Sequence, residues 1–156
     1  MLAAAACSTA PSSAAPPPQL TPYEVTLSAS SFQPRSAGAV FFGSSWRITD
    51  AAPEVYAPLA VPVGCTITGW TAHAIKGTVP SLLTAGLQYV VPTSSIATLV
   101  GGAEEGAIGI AGDVVLSPPS VSHVVLPRAD YSIRIARDLT PGADQIFAAD
   151  LAYGCP

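Results

Sequence analysis

Apolar residues in this chain recur at every second position, segment after segment, and nowhere keep the three-to-four-residue spacing of a sustained helix. In Tyr131-Ser132-Ile133-Arg134-Ile135-Ala136-Arg137 the alternation sets Tyr131, Ile133 and Ile135 on one face and Arg134 on the other. Successive side chains of a strand point to opposite sides, so such a run has one buried face and one wet face. Leu83, Ala85, Leu87, Tyr89 and Val91 repeat the pattern before Pro92. So do Tyr23, Val25 and Leu27, and, at the end of the chain, Phe147, Ala149, Leu151 and Tyr153.

The remaining segments are shorter or interrupted. Residues 65–75, rich in Thr and β-branched side chains, predict a long strand that Lys76-Gly77 and Pro80 end. Residues 40–42 and 46–49 flank a turn at Gly43-Ser44-Ser45, and residues 113–116 and 121–126 are two strands split by Ser117-Pro118-Pro119. Pro58 and Pro62 donate no ladder hydrogen bond, which assigns residues 55–63 to an edge or an extended connection and not to the centre of a sheet. Between residues 94 and 112 the glycines 101, 102, 106, 109 and 112 predict a long loop with at most one turn of helix. Pro141-Gly142 is a further turn. About seven to nine strands result, an all-β antiparallel sandwich of jelly-roll type over residues 23–156. Residues 8–22, STAPSSAAPPPQLTP, favour extended polyproline conformations and bury no core, so residues 1–22 are expected to form a flexible leader or arm.

Charge narrows the function. Asp, Glu, Lys and Arg make up 10% of the chain, against about 25% in a typical soluble domain. The surface must then be covered by Ser, Thr, Gly, Pro and Ala, which suits an exported protein or a subunit buried against copies of itself. The six basic residues, Arg35, Arg47, Lys76, Arg128, Arg134 and Arg137, form no run, and the formal charge is −4. A nucleic-acid partner is therefore not expected. Gly, Pro, Thr or Ser interrupts every apolar stretch, so no transmembrane helix is expected either.

Three cysteines, Cys7, Cys65 and Cys155, show no C-x-x-C pair and no histidine at ligand spacing, which disfavours zinc. Cys65 opens one predicted strand and Cys155 closes the last. The two bridge if those strand ends share one end of the sandwich, and otherwise serve as small unpaired hydrophobes. Cys7 follows Met1-Leu2-Ala3-Ala4-Ala5-Ala6, and small residues before a cysteine resemble the tail of a bacterial lipoprotein signal, where that cysteine is lipidated. No basic region precedes it, and six residues are too few for the apolar region of such a signal. Two readings stay open: the true start lies upstream, or Cys7 is incidental.

The stretch Ala57-Pro58-Leu59-Ala60-Val61-Pro62-Val63-Gly64-Cys65-Thr66-Ile67-Thr68-Gly69 resembles a segment of exported bacterial β-sandwich proteins of unassigned function. In those a leucine-proline-x-glycine-alanine-threonine-isoleucine-threonine run leads into a long strand. Ser31-Phe32-Gln33-Pro34-Arg35, Asp130-Tyr131-Ser132-Ile133 and the terminal strand with Tyr153 are similar too, while Val61 replaces the usual leucine and Cys65 the usual alanine. The resemblance implies a β-sandwich outside the cytoplasm and carries over no catalytic residue.

Chemistry-bearing residues are sparse. His73 and His123 have no Asp or Glu within three residues, and no G-x-S-x-G elbow is present. The glycine-rich stretch around Gly101-Gly102-Ala103-Glu104-Glu105 lacks both the dinucleotide order and a P-loop lysine. Glu104 and Glu105 read first as a solvated acidic loop tip; with Asp113 they are otherwise oxygen donors suited to Ca²⁺. Trp46, Trp70 and Tyr56 are candidates for a sugar-stacking platform or for core packing. Trp70 lies three residues from Ile67, on the opposite side of a regular strand, which makes it the first candidate for an outward-facing binding residue. No cofactor is implied. Two classes of function fit: a non-enzymatic structural subunit of an extracellular or virion-surface assembly that associates with itself, or a surface-anchored binding or adhesion module for a glycan or other surface partner.

Overall fold

Two antiparallel sheets packed face to face bury the alternating apolar residues in a computed structural model of the chain, which describes residues 19–35, 39–42, 44–48, 54–77, 82–105, 112–137 and 144–156. Among the described residues twelve strands run through them: β1 (Thr21–Ser28), β2 (Gln33–Pro34), β3 (Ala39–Phe42), β4 (Ser45–Ile48), β5 (Glu54–Leu59), β6 (Thr66–Lys76), β7 (Leu83–Val90), β8 (Thr98–Glu105), β9 (Gly112–Leu116), β10 (His123–Val124), β11 (Asp130–Arg137) and β12 (Asp144–Cys155). One 3-10 turn, Ala29–Ser31, follows β1. The first sheet has the order β10-β6-β12-β4-β3, with β1 also on β12 and β9 also on β6; the second has the order β2-β5-β11-β7-β8. The fold is the all-β, jelly-roll-like sandwich that the alternation requires.

The strand count exceeds the expected seven to nine because several strands are fragments. β2 and β10 have two residues each and β3 and β4 four. The expected loop over residues 94–112 is corrected in the same way: Thr98–Glu105 is a strand, paired with β7 along Leu83–Tyr89. Gly101 and Gly102 are tolerated there because β8 is the edge of its sheet and carries a bulge, with Leu87 facing Gly101 and Gln88 facing Leu99. β1 begins at Thr21, inside the stretch expected to be an arm. Pro22 fits because β1 pairs with β12 alone, and residues 1–18 lie outside the described residues. Pro58 falls where β5 has β11 on one side and, among the described residues, no strand on the other.

Ile133 and Ile135 are fully buried, and Tyr131 nearly so, as the alternation of β11 predicts. They meet Leu83 and Leu87 of β7, Val55 and Ala57 of β5, and Ile67, Ala72, Ile146 and Leu151 of the first sheet. Tyr23 and Val25 share the inward side of β1 with Leu27, but on an edge strand they stay 46% and 38% exposed, and Tyr23 stacks on Tyr153 at 5.3 Å.

Two bulges in the β6–β12 pair overturn two face assignments. Ile67 pairs with Tyr153 and Gly69 with Ala152, so Thr68 is an extra residue that reverses the parity of β6. Trp70 therefore lies on the same side as Ile67 and is 3% exposed, a core residue and not the outward one expected. On β12, Ile146 pairs with Ala74 and Ala148 with His73, which leaves Phe147 as the extra residue. Ile146, and not Phe147, is the fully buried side chain at this point.

Both ends of the sandwich are clasped. A turn closed by the Cys65 N–H on the Pro62 carbonyl, with Gly64 at φ 86°, sets Cys65 against Cys155, and the two form a disulfide spanning 90 residues of sequence. Near it the Tyr131 hydroxyl of the second sheet accepts from the Leu126 N–H and is 2.8 Å from His123 Nε2 of the first. At the far end Arg137 of β11 reaches Asp144 of β12 at 3.4 Å, both fully buried, and Asp144 also accepts from the Gly77 N–H. Buried charges of this kind hold only while paired.

Two outcomes follow. Ile133→Asp should abolish the cooperative thermal transition, because an unpaired carboxylate is forced into a site with no exposure, whereas Val115→Asp, at a position 61% exposed, should stay within about 0.5 kcal/mol of wild type. Replacing Cys65 and Cys155 by Ala should lower the unfolding free energy by about 4.6 kcal/mol on the chain-entropy account, measured by denaturant titration.

Candidate functional site

The sandwich does not bring the three aromatic candidates together. Trp46 on β4 is partly buried against the core and donates from Nε1 to the Ala29 carbonyl at 2.8 Å, which staples the 3-10 turn to the first sheet. Trp70 is in the core. Tyr56 alone lies on an outer face, that of the second sheet, and the Arg35 guanidinium sits over its ring at 5.8 Å. The expected platform is therefore absent. Glu104 and Glu105 are part of β8, opposite Thr84 and Leu83, while Asp113 is on β9 in the other sheet opposite Ile75. Among the described residues no three His, Cys, Asp or Glu side chains gather as metal ligands. Cys7 lies outside the described residues.

The outer face of the second sheet is built by register. Tyr56, Arg134, Gly86 and Gly102 form one row across β5, β11, β7 and β8, and the next row holds Pro58, Ser132, Gln88 and Leu99. The bulge in β8 is what places Leu99 on the same side as Gly102. Two adjacent glycines leave a strip of bare backbone beside Arg134. A Cβ at Gly86 would stand 2.6 Å from Leu99 Cδ1, so the leucine leans over this strip only because the glycine lacks one. The result is a groove of about 570 Å³, with Arg134, Gln88 and Thr84 on its polar side and Leu99 on its apolar side.

A hydrogen-bonded network fixes the polar side. Glu54, at 12% side-chain exposure, accepts from Arg35 Nη1 at 2.7 Å and from the Tyr56 hydroxyl at 2.6 Å on Oε1, and from Arg134 Nε on Oε2. Arg35 Nη1 also donates to the Tyr56 hydroxyl at 2.8 Å. Burial opposes ionisation of Glu54, yet the hydrogen bonds from Tyr56, Arg134 and Arg35 outweigh it and hold the carboxyl below its usual range. Burial, and then the bond to Glu54, push the Tyr56 hydroxyl up. Gln88 Nε2 donates to Ser132 Oγ at 3.3 Å and Thr84 Oγ1 to the Ala136 carbonyl at 3.2 Å. Side chains held in this way keep one geometry before any ligand arrives.

A second groove, of about 440 Å³, lies on the first sheet between Glu24, Thr26, Thr71, Ser117 and Pro118. There Thr26 and His73 hold Asp150, and their hydrogen bonds lower its pKa. His123 is taken up by Tyr131 and stacked on Tyr89 at 5.4 Å. Reasoning along the sequence missed Glu54, Arg134, Gly86, Gly102 and Leu99. One signal was present: Gly86 interrupts an otherwise regular alternating strand, a position that marks close approach by another group.

No protein-family model matches the chain, and no curated protein matches it in sequence. Solved structures match it in fold. The CBM36-1 domain of a multidomain xylanase from the hindgut metagenome of Trinervitermes trinervoides superposes with a TM-score of 0.56 at 10% identity, over 83% of this chain and 96% of that one. The C-terminal CBM6 of LamC, a marine laminarinase from Zobellia galactanivorans, gives 0.55 at 9% identity over 83% and 99%. CsCBM6-3 from Clostridium stercorarium, solved with cellobiose, gives 0.53 at 12% identity over 80% and 90%. At such identities the likeness establishes the fold: the chain has the two-sheet sandwich of these carbohydrate-binding modules across nearly their whole length. Among the described residues no helix is long and apolar enough to cross a membrane.

Because the folded pKa of Glu54 lies below its unfolded value, its stabilising contribution is complete above that unfolded value, about 4.3, and is lost as pH falls through the folded one. Glu54→Gln should therefore lose less stability than wild type between pH 5 and pH 2, read from urea midpoints across that range.

Proposed function

We propose that this chain is a non-catalytic, extracellular carbohydrate-binding module that holds a saccharide in the groove on the outer face of the second sheet. The observation that carries this reading is the pairing of a fixed polar wall, Arg134, Gln88 and Thr84, with an apolar wall, Leu99, across a floor of glycine backbone. A pyranose ring has the same division, hydroxyls around its rim and C–H groups on its faces. A shallow site with a few oriented donors beside an apolar surface suits it.

Other features agree. Several modules with this fold are described by their carbohydrate: one was solved with cellobiose and another is named as xylan-binding. A disulfide persists in oxidising compartments, which favours a location outside the cytoplasm. Of the two classes drawn from the sequence, these neighbours favour the binding module over the self-assembling subunit.

Calorimetric titration with xylan, laminarin and cello-oligosaccharides tests the proposal. At least one should bind, and Leu99→Ala and Gln88→Ala should each weaken it by about 1 kcal/mol, roughly fivefold, with little change in melting temperature. Absence of binding both to this set and to charged polysaccharides at millimolar sugar concentration would remove this reading.

A further inference from the structure

Arg134 has more hydrogen-bonding capacity than the fold consumes. Its Nε is committed to Glu54, while its two terminal nitrogens have no protein acceptor among the described residues. The side chain is 42% exposed and lines the groove. Glu54 already accepts from Tyr56, Arg35 and the Arg134 Nε. Two guanidinium groups thus share one carboxylate, and the Arg35–Glu54–Arg134 cluster carries one net positive charge.

We propose that the groove takes an anionic saccharide, with the terminal nitrogens of Arg134 binding the charged group on the sugar. This inference rests on the saccharide reading above and names the ligand class for it. The planar fork of an arginine end matches two oxygens of one anion, either the carboxylate of a uronic acid or the oxygens of a sulfate ester, and charge-assisted bonds of this type are about twice as strong as neutral ones. Gln88 and Leu99 on the adjoining row then face the ring that carries the charge.

The test uses matched pairs of polysaccharide: glucuronoxylan against its carboxyl-reduced form, and a sulfated galactan against its desulfated form. The wild-type protein should bind the charged member of one pair at least tenfold more tightly, with the preference shrinking as salt is raised from 50 to 500 mM. The pair that shows the preference identifies carboxylate or sulfate as the anion. In Arg134→Gln the ratio should fall to about one, with folding checked by the thermal transition. Should that variant not fold, the wild-type ratio and its salt dependence decide the matter alone. Equal binding of both members in both pairs overturns the anionic ligand and leaves the saccharide reading standing; binding of no member overturns both.

Discussion

The pairing of β6 with β12 organises this molecule. They are its longest strands, they run through the middle of the first sheet, and every other strand of that sheet attaches to one or the other directly or through β4. Each carries one extra residue, Thr68 or Phe147, and each insertion changes which side of the sheet the following residues face. Between the insertions Trp70 and Ala72 point inward opposite Leu151 and Ala149, and beyond the second Ala74 does so opposite Ile146. Without the insertion at Thr68, Ile67 and Trp70 would need opposite environments. The disulfide then closes the same pair at its end, one residue beyond the last ladder partner on either strand.

The second sheet answers a different demand. Its inner face is ordinary packing, Ile133, Ile135, Leu83 and Leu87, but its outer face carries a half-sequestered carboxylate. Taking Glu54 partly out of water costs free energy, and the cost is tolerated because three donors converge on it. The arrangement also fixes the donors. Tyr56 and Arg134 come from adjacent strands and Arg35 from the residue after β2, and a common acceptor orients all three. Function and stability are coupled at this point, since any change to Glu54 moves the wall of the groove along with the energy of the sheet.

A groove on a sheet face needs missing side chains as much as present ones. Gly86 and Gly102 sit side by side on β7 and β8, and together they lower the floor between Arg134 and the sheet edge. Strands with glycine at such points are weaker in isolation. Here the neighbours offset the loss: Gly86 is bonded within a sheet on both sides, and Leu99 leans across the space that a side chain would fill. The site therefore stands on paired backbone, with its spacing set by the strand separation.

Strand period, turn residues and the lack of helix spacing are local properties of the chain, and they determined the all-β sandwich, the inward set on β11 and β7, and the outward position of Arg134. Pro58 stays out of a fully paired strand for a local reason too, the missing N–H. Tertiary structure decided the rest. A bulge exists only relative to a partner strand, so the burial of Trp70 and the exchange of Phe147 for Ile146 depend on a register that no single segment encodes. The groove likewise gathers Glu54, Gly86, Leu99 and Arg134 from four strands, and their adjacency is a consequence of sheet order, which alternation leaves undetermined because a period of two is satisfied by any pairing that keeps the apolar face inward.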